Sequence, residues 1–390
     1  MSPRYAVIGS GRQGTAAAYD LIQHGDAELV ILADMDLRQS EAAAERVNRL
    51  TESDRAHAVR LDVRQLEHIV DLLRQERVDA FVSAVPYTHN LTLTEAAIRS
   101  GCGMTDLGGN SDVVLEQLQR SAGAADAGAT VVPDCGQVPG MGTSLILYAM
   151  EALDEAQDVR MWDCGLPQEA EPPWNYRLTF HIEGLTNEYY GDCLFIRDGE
   201  LTAVPALAEY ERLSFPEPIG ELEAFTTAGG LTTAARTYEG QLRTLQNKTL
   251  RYPGNFEQLK VIEQLGLLNP DPISVNGLQV SPREVLHTLW EPQIRAEPGT
   301  PDFILIRIVA EGLKNDRSAA AIVDLVHRFD EETGFTAMEQ ATGWHAAIVT
   351  AAIAHGRVPV GVVPIERAMT GHAFVEQAKL RGFDVRRRIE

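Results

Sequence analysis

Three glycines near the start of the chain have the spacing of a phosphate-binding loop. Gly9, Gly11 and Gly14 form a G-x-G-x-x-G pattern between an apolar segment that suits a strand and an Ala-rich segment that suits a helix. The first glycine permits a tight turn, the second lets the backbone approach a pyrophosphate, and the third lets helix and strand pack closely. Free N–H groups at a helix N-terminus favour negative charge. The pattern predicts a dinucleotide site, with Arg12 and Gln13 in the same turn.

The second predicted strand ends in an acidic residue, Asp34, which follows Gly14 by 20 residues. A carboxylate at this position accepts hydrogen bonds from the ribose hydroxyls and repels a 2′-phosphate. The nearest following basic residue is Arg38, about one turn into the next predicted helix. We therefore expect NAD rather than NADP.

Three later loops carry further candidate groups. In open α/β sheets, ligands bind beyond the carboxyl ends of the strands. The loops after the fourth, fifth and sixth predicted strands are Ala84-Val85-Pro86-Tyr87, Asp106-Leu107-Gly108-Gly109 and Pro133-Asp134-Cys135-Gly136. We expect these loops to face the nicotinamide end of the cofactor, with Ala84, Val85, Pro86 and Gly136 in the cofactor site.

The segments that position these loops predict a Rossmann domain. Short apolar segments alternate with stretches rich in Ala, Leu, Glu, Gln and Arg, which implies βαβ units and a parallel sheet. The strand segments are YAVIGS, ELVILAD, HAVRLD, VDAFVSAV, GMTDLG and TVVPD.

The chain after about Leu153 has a different pattern. Longer alternating segments bounded by Gly and Pro indicate a mostly antiparallel or mixed sheet with one solvated face. They are VRMWDCGLP, WNYRLTFHIEG, CLFIRDGEL and FILIRIVAEG, and the second of them would place His181 on the polar face of a strand. The segment GWHAAIVTAAIAHG then returns to a helical pattern. We expect an α/β protein with a Rossmann domain and a second, sheet-rich domain.

Composition and charge narrow the class of partner. The chain has 34 Lys and Arg against 56 Asp and Glu, a net charge of −22, which argues against nucleic-acid and membrane partners. The spacing of the cysteines predicts neither a metal site nor a disulfide framework. The N-terminus lacks a signal-peptide pattern, and no apolar run approaches the roughly 20 residues that span a bilayer. A cytoplasmic protein is the expectation.

Several blocks of the sequence resemble the saccharopine dehydrogenase family, in the same order along nearly the whole chain. They are SAVPY, DLGGN, PDCG, GLP, EGL, GGL and KTLRYPG, which begin at residues 83, 106, 133, 165, 183, 229 and 248. The resemblance is closest to the L-lysine 6-dehydrogenase branch. It implies a Rossmann domain of residues 1–134, completed by C-terminal helices within 335–390, and a substrate-binding and dimerisation domain of residues 135–334.

The resemblance implies hydride transfer between nicotinamide and a carbon bonded to nitrogen. The amine must lose a proton before the hydride leaves, so a base is required. Asp106 ends a predicted core strand on the cofactor side, which suits either this base or a cap for the turn that follows. Tyr87 could position the amine or water, or pack as a loop aromatic. Cys135 resembles a family active-site cysteine that orients substrate, and a small buried hydrophobe is the alternative.

An amino-acid substrate also needs a cation for its carboxylate. Arg251 lies in a segment that lines the substrate pocket in the family, and its guanidinium can grip a carboxylate through two parallel hydrogen bonds. The alternative is a salt bridge within the protein. Lys248 could assist Arg251 or be structural, and His181 could relay protons or simply be solvated.

Three functions remain open from the sequence. The first is NAD-dependent oxidative deamination of the ε-amine of L-lysine or a close analogue. The second is an NAD(P)H-dependent enzyme of secondary amines such as saccharopine or carboxyspermidine, which would need further cations, for which Arg236 and Arg243 are candidates. The third is a non-catalytic NAD-binding protein. A homodimer is the default expectation, because a sheet-rich domain has edges to cover.

Overall fold

The computed structural model describes residues 2–390. The first part of the chain alternates strands and helices, as predicted. Its elements are β1 (Arg4–Ile8), α1 (Arg12–His24), β2 (Leu29–Asp34), α2 (Leu37–Thr51), β3 (Ala56–Arg60), α3 (Leu66–Gln75), β4 (Ala80–Ser83), a 3-10 turn (Tyr87–His89), α4 (Asn90–Ser100), β5 (Gly103–Asp106), α5 (Ser111–Leu118), α6 (Ser121–Asp126) and β6 (Thr130–Val132).

These six strands are parallel and lie in the order β6-β5-β4-β1-β2-β3. This is the doubly wound order of dinucleotide-binding domains, whose direction reverses between β1 and β4. Apart from the edge strand β3, the strands are almost entirely buried because helices cover both faces of the sheet. The predicted Rossmann domain is confirmed.

The middle of the chain forms the second domain. Its elements are α7 (Met141–Met150), β7 (Glu155–Pro167), α8 (Ile182–Glu188), β8 (Asp192–Arg197), β9 (Glu200–Pro205), β10 (Glu211–Ser214), β11 (Glu221–Phe225), α9 (Ala234–Thr237), β12 (Thr244–Arg251), α10 (Asn255–Gln264), β13 (Ile273–Val275), β14 (Leu278–Val280), α11 (Pro282–Ile294), β15 (Asp302–Lys314) and β16 (Arg317–Arg328).

The rest of the described chain contains α12 (Ala337–Ala354), β17 (Gly361–Val362), α13 (Ile365–Ala368), α14 (Gly371–Leu380) and β18 (Val385–Ile389). The second sheet runs β10-β11-β12-β7-β15-β16-β18, with β8 and β9 attached beside β12. Strands β12 and β7 are parallel, and the other paired neighbours are antiparallel. The expected mixed, mostly antiparallel sheet is confirmed.

One predicted strand is wrong. The segment WNYRLTFHIEG pairs only through an isolated bridge between Leu178 and Arg295, and α8 begins at Ile182. His181 is the N-cap of that helix, and its Nδ1 accepts the N–H of Glu183 at 3.3 Å. The segment does alternate polar and apolar residues, but the capped helix begins before the segment can pair with a neighbouring strand.

The C-terminal segment, expected as a whole in the first domain, divides between the two domains. Helix α12 packs along α1, where a Cβ on Gly343 would lie 2.8 Å from the backbone N of Ala17, and β17 extends the first sheet beside β6. Helix α14 instead packs on α7, and β18 pairs with β16 at the edge of the second sheet. The two domains are thus joined by packed helices as well as by the chain.

Candidate active site

The glycine loop has the backbone that its sequence predicts. Gly9 has φ +104°, and a Cβ there would lie 2.4 Å from the carbonyl oxygen of Ala84. A Cβ on Gly14 would lie 1.8 Å from the carbonyl oxygen of Gly9, so the start of α1 can pack this closely only without a side chain. Gly11 has open space on its Cβ side. The loop lies between β1 and β4, where a doubly wound sheet binds its ligand.

Polar atoms of the same loop fit a dinucleotide. Within residues 2–390, Ser10 Oγ, Arg12 Nη1 and both amide atoms of Gln13 are buried without a hydrogen-bond partner. Native proteins leave few buried polar groups unpaired, so these atoms indicate a missing ligand. Arg12, Gln13 and the free N–H groups at the start of α1 would hold the pyrophosphate, and Ala84, Val85 and Pro86 border the loop from the end of β4.

Asp34 lies at the end of β2, beside the glycine loop. One carboxylate oxygen accepts the N–H of Ser10 at 2.9 Å and the other accepts the N–H of Asp36 at 3.1 Å. Arg38 is exposed and ion-paired with Asp36 at 3.1 Å. A second basic residue, Arg60, pairs in register with Asp34 from β3, and sequence reasoning had missed it. The carboxylate is fixed at the ribose end of the predicted site, with two arginines nearby.

Asp106 is fully buried at the end of β5 and completely hydrogen-bonded. Its Oδ1 accepts the N–H of Gly108 at 2.9 Å and that of Asp134 at 3.1 Å, and its Oδ2 accepts from Gln117 Nε2 at 2.8 Å. Burial raises the pKa of Asp106, while these hydrogen bonds oppose that shift. Its position is therefore that of a cap that joins two strand-end loops, with both oxygens engaged by donors of the protein.

Asp134, at the end of β6, has the opposite character. It is 2% exposed with φ +60°, and within the described chain no hydrogen bond of normal geometry reaches either carboxylate oxygen, although the Thr232 side chain is near enough to favour the charged form. Burial and the neighbouring Asp106 raise its pKa well above the usual range. Its Oδ1 lies against Gly108, where a Cβ would approach to 2.4 Å. An unpaired, proton-holding carboxyl group in a strained backbone conformation is a stronger catalytic candidate than Asp106.

Cys135 and Gly136 continue the same loop but are structural. The Cys135 thiol is fully buried in the apolar core, donates to the carbonyl oxygen of Val132 at 3.4 Å, and has a pKa raised by burial. A Cβ on Gly136 would lie 2.9 Å from the carbonyl oxygen of Leu107. The structure thus favours the buried-hydrophobe interpretation of Cys135 and gives Gly136 a packing role. His345 of α12 holds the loop from behind through the carbonyl oxygen of Cys135, at 2.9 Å.

Tyr87 connects the two domains across the cleft. Its hydroxyl donates to Glu183 Oε1 of α8 at 2.9 Å, and its ring lies against Gly109. A second link runs from Asn187 Nδ2 of α8 to the carbonyl oxygen of Gly109, at 3.3 Å. The loops after β4 and β5 therefore form one wall of the cleft and α8 forms the opposite wall.

Arg251 lies in the second domain with every N–H donor engaged by the protein. Nε and Nη2 donate to the Tyr189 hydroxyl at 3.1 and 2.8 Å, and Nη2 also donates to Glu188 Oε2 at 3.3 Å. Nη1 donates to Thr249 Oγ1 at 2.6 Å and to the carbonyl oxygen of Leu250 at 3.0 Å. Arg251 is 4% exposed, so the expectation that it grips a substrate carboxylate requires a correction: it has no spare donor.

Two carboxyl groups beside Arg251 were missed by sequence reasoning. Asp163 of β7 pairs in register with Thr249 of β12 and is 7% exposed, and the Glu188 side chain is 29% exposed. Burial raises the pKa of each to about 7, and Arg251 opposes the shift. No local motif marks either residue, because the sheet and α8 bring them together over long sequence distances.

The Asp163 side chain lies on the same face of β7 as two residues that contact helices. The neighbouring residues on its face of β7 are Met161 and Gly165. A Cβ on Gly142 of α7 would meet the Met161 sulfur at 2.7 Å, and one on Gly165 would meet the Met338 methyl of α12 at 2.1 Å. Asp163 therefore lies on the face of the second sheet that α7 and α12 cover.

Two further predicted site residues lie elsewhere. Lys248 alternates with Thr249 and Arg251 on β12 and so points to the opposite face, where Nζ donates to the carbonyl oxygen of Glu209 at 2.7 Å and pairs with Glu211 at 3.0 Å. His181 is exposed and caps α8. Lys248 therefore does not lie beside Asp163 and Arg251, and its expected place in the substrate site is corrected on this ground, while the proton relay expected of His181 stays a prediction.

Searches for other kinds of site add two facts. Among residues 2–390, no group of three or more His, Cys, Asp or Glu side chains is arranged to hold a metal ion. None of the helices in this range is long and apolar enough to cross a membrane.

Comparison with protein families decides the class of the molecule. Residues 5–132 match the saccharopine dehydrogenase NADP binding domain, and residues 136–381 match the saccharopine dehydrogenase C-terminal domain. The chain belongs to the saccharopine dehydrogenase family. The resemblance first noticed in the sequence is confirmed at the level of the family, while its closeness to the L-lysine 6-dehydrogenase branch stays a prediction.

Individual relatives of this family member are distant. The saccharopine dehydrogenase [NADP(+), L-glutamate-forming] of Schizosaccharomyces pombe is 22% identical over 202 residues, which cover 49% of this chain and 44% of that protein. The apo structure of saccharopine dehydrogenase (L-Glu forming) from Saccharomyces cerevisiae matches all of both chains with a TM-score of 0.78 and 17% identity. This likeness confirms the fold. GenD2 from gentamicin A biosynthesis, in complex with NAD, gives a TM-score of 0.41 at 12% identity, too low for an argument.

Proposed function

We propose that the protein is an NAD-dependent dehydrogenase that oxidises a carbon–nitrogen bond of an amine, with L-lysine oxidised at its ε-amine as the first substrate to test. The single observation that carries this proposal is the unpaired, buried carboxyl group of Asp134, at the end of a strand and beside the cleft of a dinucleotide-binding fold. Membership of the saccharopine dehydrogenase family supplies the reaction class.

NAD, when bound, supplies the acceptor for a hydride from the carbon next to the amine. The protein must remove a proton from the ammonium before the hydride is transferred. It must move protons again when water attacks the resulting imine. The Asp134 carboxyl group is the candidate for these proton transfers, because burial and the neighbouring Asp106 raise its pKa well above the usual range and so favour its binding a proton. The Tyr87 hydroxyl, tied to Glu183, can orient the nitrogen or the water.

The choice of NAD over NADP is supported by Asp34. Its carboxylate is fixed by two backbone N–H groups and retains lone pairs for ribose hydroxyls. The family model is described as NADP binding, and Arg38 and Arg60 could accept a phosphate. However, a fixed carboxylate repels a 2′-phosphate, and the Arg38 guanidinium is already paired with Asp36.

A primary amine is favoured over a substrate of the saccharopine type. The latter carries extra carboxylates and needs several cations. Arg243 pairs with Asp158, Arg236 is exposed on α9, and Arg251 is saturated, so the arginines considered for this task are engaged or exposed. Saccharopine remains the alternative substrate, and the same assay distinguishes the two.

The test is NADH formation, followed by absorbance, with lysine, ornithine, saccharopine and diaminopimelate. The proposal expects the largest kcat/KM with a primary amine and a loss of turnover in Asp134→Asn. The largest kcat/KM with saccharopine would establish the alternative. If NAD binds and none of the four compounds is oxidised, the non-catalytic function replaces both.

A further inference from the structure

We propose that the cleft recognises the far end of its substrate as a cation, through the carboxylates of Asp163 and Glu188. This inference deepens the proposed amine dehydrogenase and rests on it. The substrate class it names is a linear molecule with one amine that is oxidised and a second ammonium group at the other end.

The local charge balance carries the first part of the argument. Glu188 Oε2 lies 3.3 Å from Arg251 Nη2, and Asp163 pairs in register with Thr249, whose hydroxyl accepts from the same guanidinium at 2.6 Å. One positive charge therefore faces two carboxyl groups in a largely buried space. A buried carboxylate without compensation is costly, and a bound ammonium would balance the second one.

An unpaired atom gives an independent indication of a ligand. Oδ1 of Asp163 is buried and has no hydrogen-bond partner in the part of the chain that the structure describes. The residue is 7% exposed, and its side chain lies on the sheet face that α7 and α12 cover. An ammonium group has three N–H donors, which suit one unpaired oxygen together with a second carboxylate.

The same surroundings disfavour a carboxylate. Arg251 could bind one only by breaking its hydrogen bonds to Tyr189 and Glu188. The incoming carboxylate would also meet the negative charge of Glu188 and Asp163 at close range. Glu183, on the same helix as Glu188, adds negative charge to this wall, and Arg283, which donates to Asn187 of that helix at 2.8 Å, supplies one positive charge against it.

Three amines of similar length separate the alternatives in the unmodified protein. 1,5-Diaminopentane has a distal ammonium only, 6-aminohexanoate has a distal carboxylate only, and pentylamine has neither. We expect kcat/KM for 1,5-diaminopentane to be within about tenfold of that for lysine and about a hundredfold or more above that for 6-aminohexanoate. A 6-aminohexanoate value equal to or above that of 1,5-diaminopentane would overturn the inference.

Variants locate the effect. Glu188→Gln and Asp163→Asn should each lower the ratio of kcat/KM for 1,5-diaminopentane to kcat/KM for pentylamine by about tenfold or more. Glu221→Gln, the same kind of change in an exposed ion pair with Arg212, is the matched control and should leave this ratio unchanged. An equal loss for both amines in the two cleft variants would show that these carboxylates only support the fold.

Binding measurements separate this inference from the proposed reaction. Calorimetric titration of the protein saturated with NADH should show tighter binding of 1,5-diaminopentane than of 6-aminohexanoate. The absence of NADH formation with every amine would overturn the proposed function alone, and the order of binding would still decide the inference. Equal or reversed affinities would overturn the inference even if lysine is oxidised.

Discussion

The backbone N–H of Asp134 donates to the carboxylate of Asp106 at 3.1 Å, so two buried carboxyl groups meet on adjacent strand ends. Asp106 accepts three hydrogen bonds, and Asp134 accepts none within residues 2–390. A carboxylate that accepts several donors keeps its charge, whereas an unpaired buried one keeps its proton. Burial and the charge of Asp106 raise the pKa of Asp134 well above the usual range, whereas at Asp106 the hydrogen bonds oppose the rise that burial causes.

This pairing predicts opposite outcomes for two identical substitutions. Asp134→Asn should lower turnover by about a hundredfold or more while leaving the free energy of unfolding unchanged or raised, because an uncompensated buried acid is removed. Asp106→Asn should lower the free energy of unfolding by about 1–3 kcal/mol, because an amide nitrogen then faces a hydrogen-bond donor. Urea denaturation and steady-state NADH formation measure both effects. Normal turnover in Asp134→Asn would remove it from the reaction.

The second prediction concerns cofactor choice. NAD should bind at least about tenfold more tightly than NADP, a difference of about 1.4 kcal/mol, because Asp34 accepts from ribose hydroxyls and repels a phosphate. Asp34→Ala should narrow the difference by weakening NAD. Fluorescence titration with NADH and NADPH measures it, with Arg38→Ala as the control at the same edge. Equal affinities in the unmodified protein would contradict the prediction.

The third prediction is a pH dependence of stability. The pKa of Asp163, raised by burial to about 7 from its ordinary value of 3.8, makes the folded protein hold a proton that the unfolded chain releases. The free energy of unfolding should therefore fall as pH rises between those two values, by at most about 1.4 kcal/mol per pH unit for this group. Asp163→Asn should have a shallower slope and greater stability at the alkaline end.

Denaturant unfolding of both proteins across this pH window tests the expectation. Glu188, whose pKa is also raised to about 7, should still contribute to the fall of the free energy of unfolding with pH in Asp163→Asn. Identical slopes in the two proteins would mean that Asp163 titrates normally in the folded state.

The fourth prediction treats Arg251 as a structural ion partner. Arg251→Met should lower the free energy of unfolding by about 3–5 kcal/mol, because it leaves Glu188 and the Tyr189 hydroxyl buried without their donor. Lys248→Met, on the opposite face of β12, also removes a buried cation, but it should cost less because the carboxylates it leaves, Glu209 and Glu211, are partly exposed to water. Thermal or urea unfolding compares them. A stable Arg251→Met protein that selectively loses affinity for carboxylate substrates would restore the original expectation.

The sequence predicted the features that depend on local pattern. The glycine loop, Asp34 and the strand ends follow from short-range rules of turn, helix start and alternation, and the parallel order then fixes which loops face the cofactor. The strand predicted around His181 was wrong because a capped helix begins at Ile182. Alternation of polar and apolar residues alone does not supply a neighbouring strand to pair with.

These short-range rules do not predict which side chains meet at the substrate end of the cleft. Arg251 was correctly noticed, but the partners that use its donors, Glu188 and Tyr189, lie more than sixty residues earlier and reach it only through the packing of α8 on the sheet. Asp163 joins them because β7 and β12 pair in parallel across an intervening stretch of chain. The sequence therefore does not show that every donor of Arg251 is engaged or that Asp163 Oδ1 has no partner. These two facts determine which charged group the cleft can bind.

The placement of β17 has a consequence for synthesis on the ribosome. The edge of the first sheet beside β6 is completed by Gly361 and Val362, and α1 is held by α12 and by the fully buried Asp20–Arg381 ion pair. The glycine loop therefore emerges early, but the helix behind it gains its last partners only after every strand of the second sheet except β18 has been translated. A nascent chain stalled before residue 337 should expose the apolar face of α1 that α12 covers in the complete protein. Chaperone binding or protease sensitivity at that stage would then reflect the order of synthesis and not the stability of the finished protein.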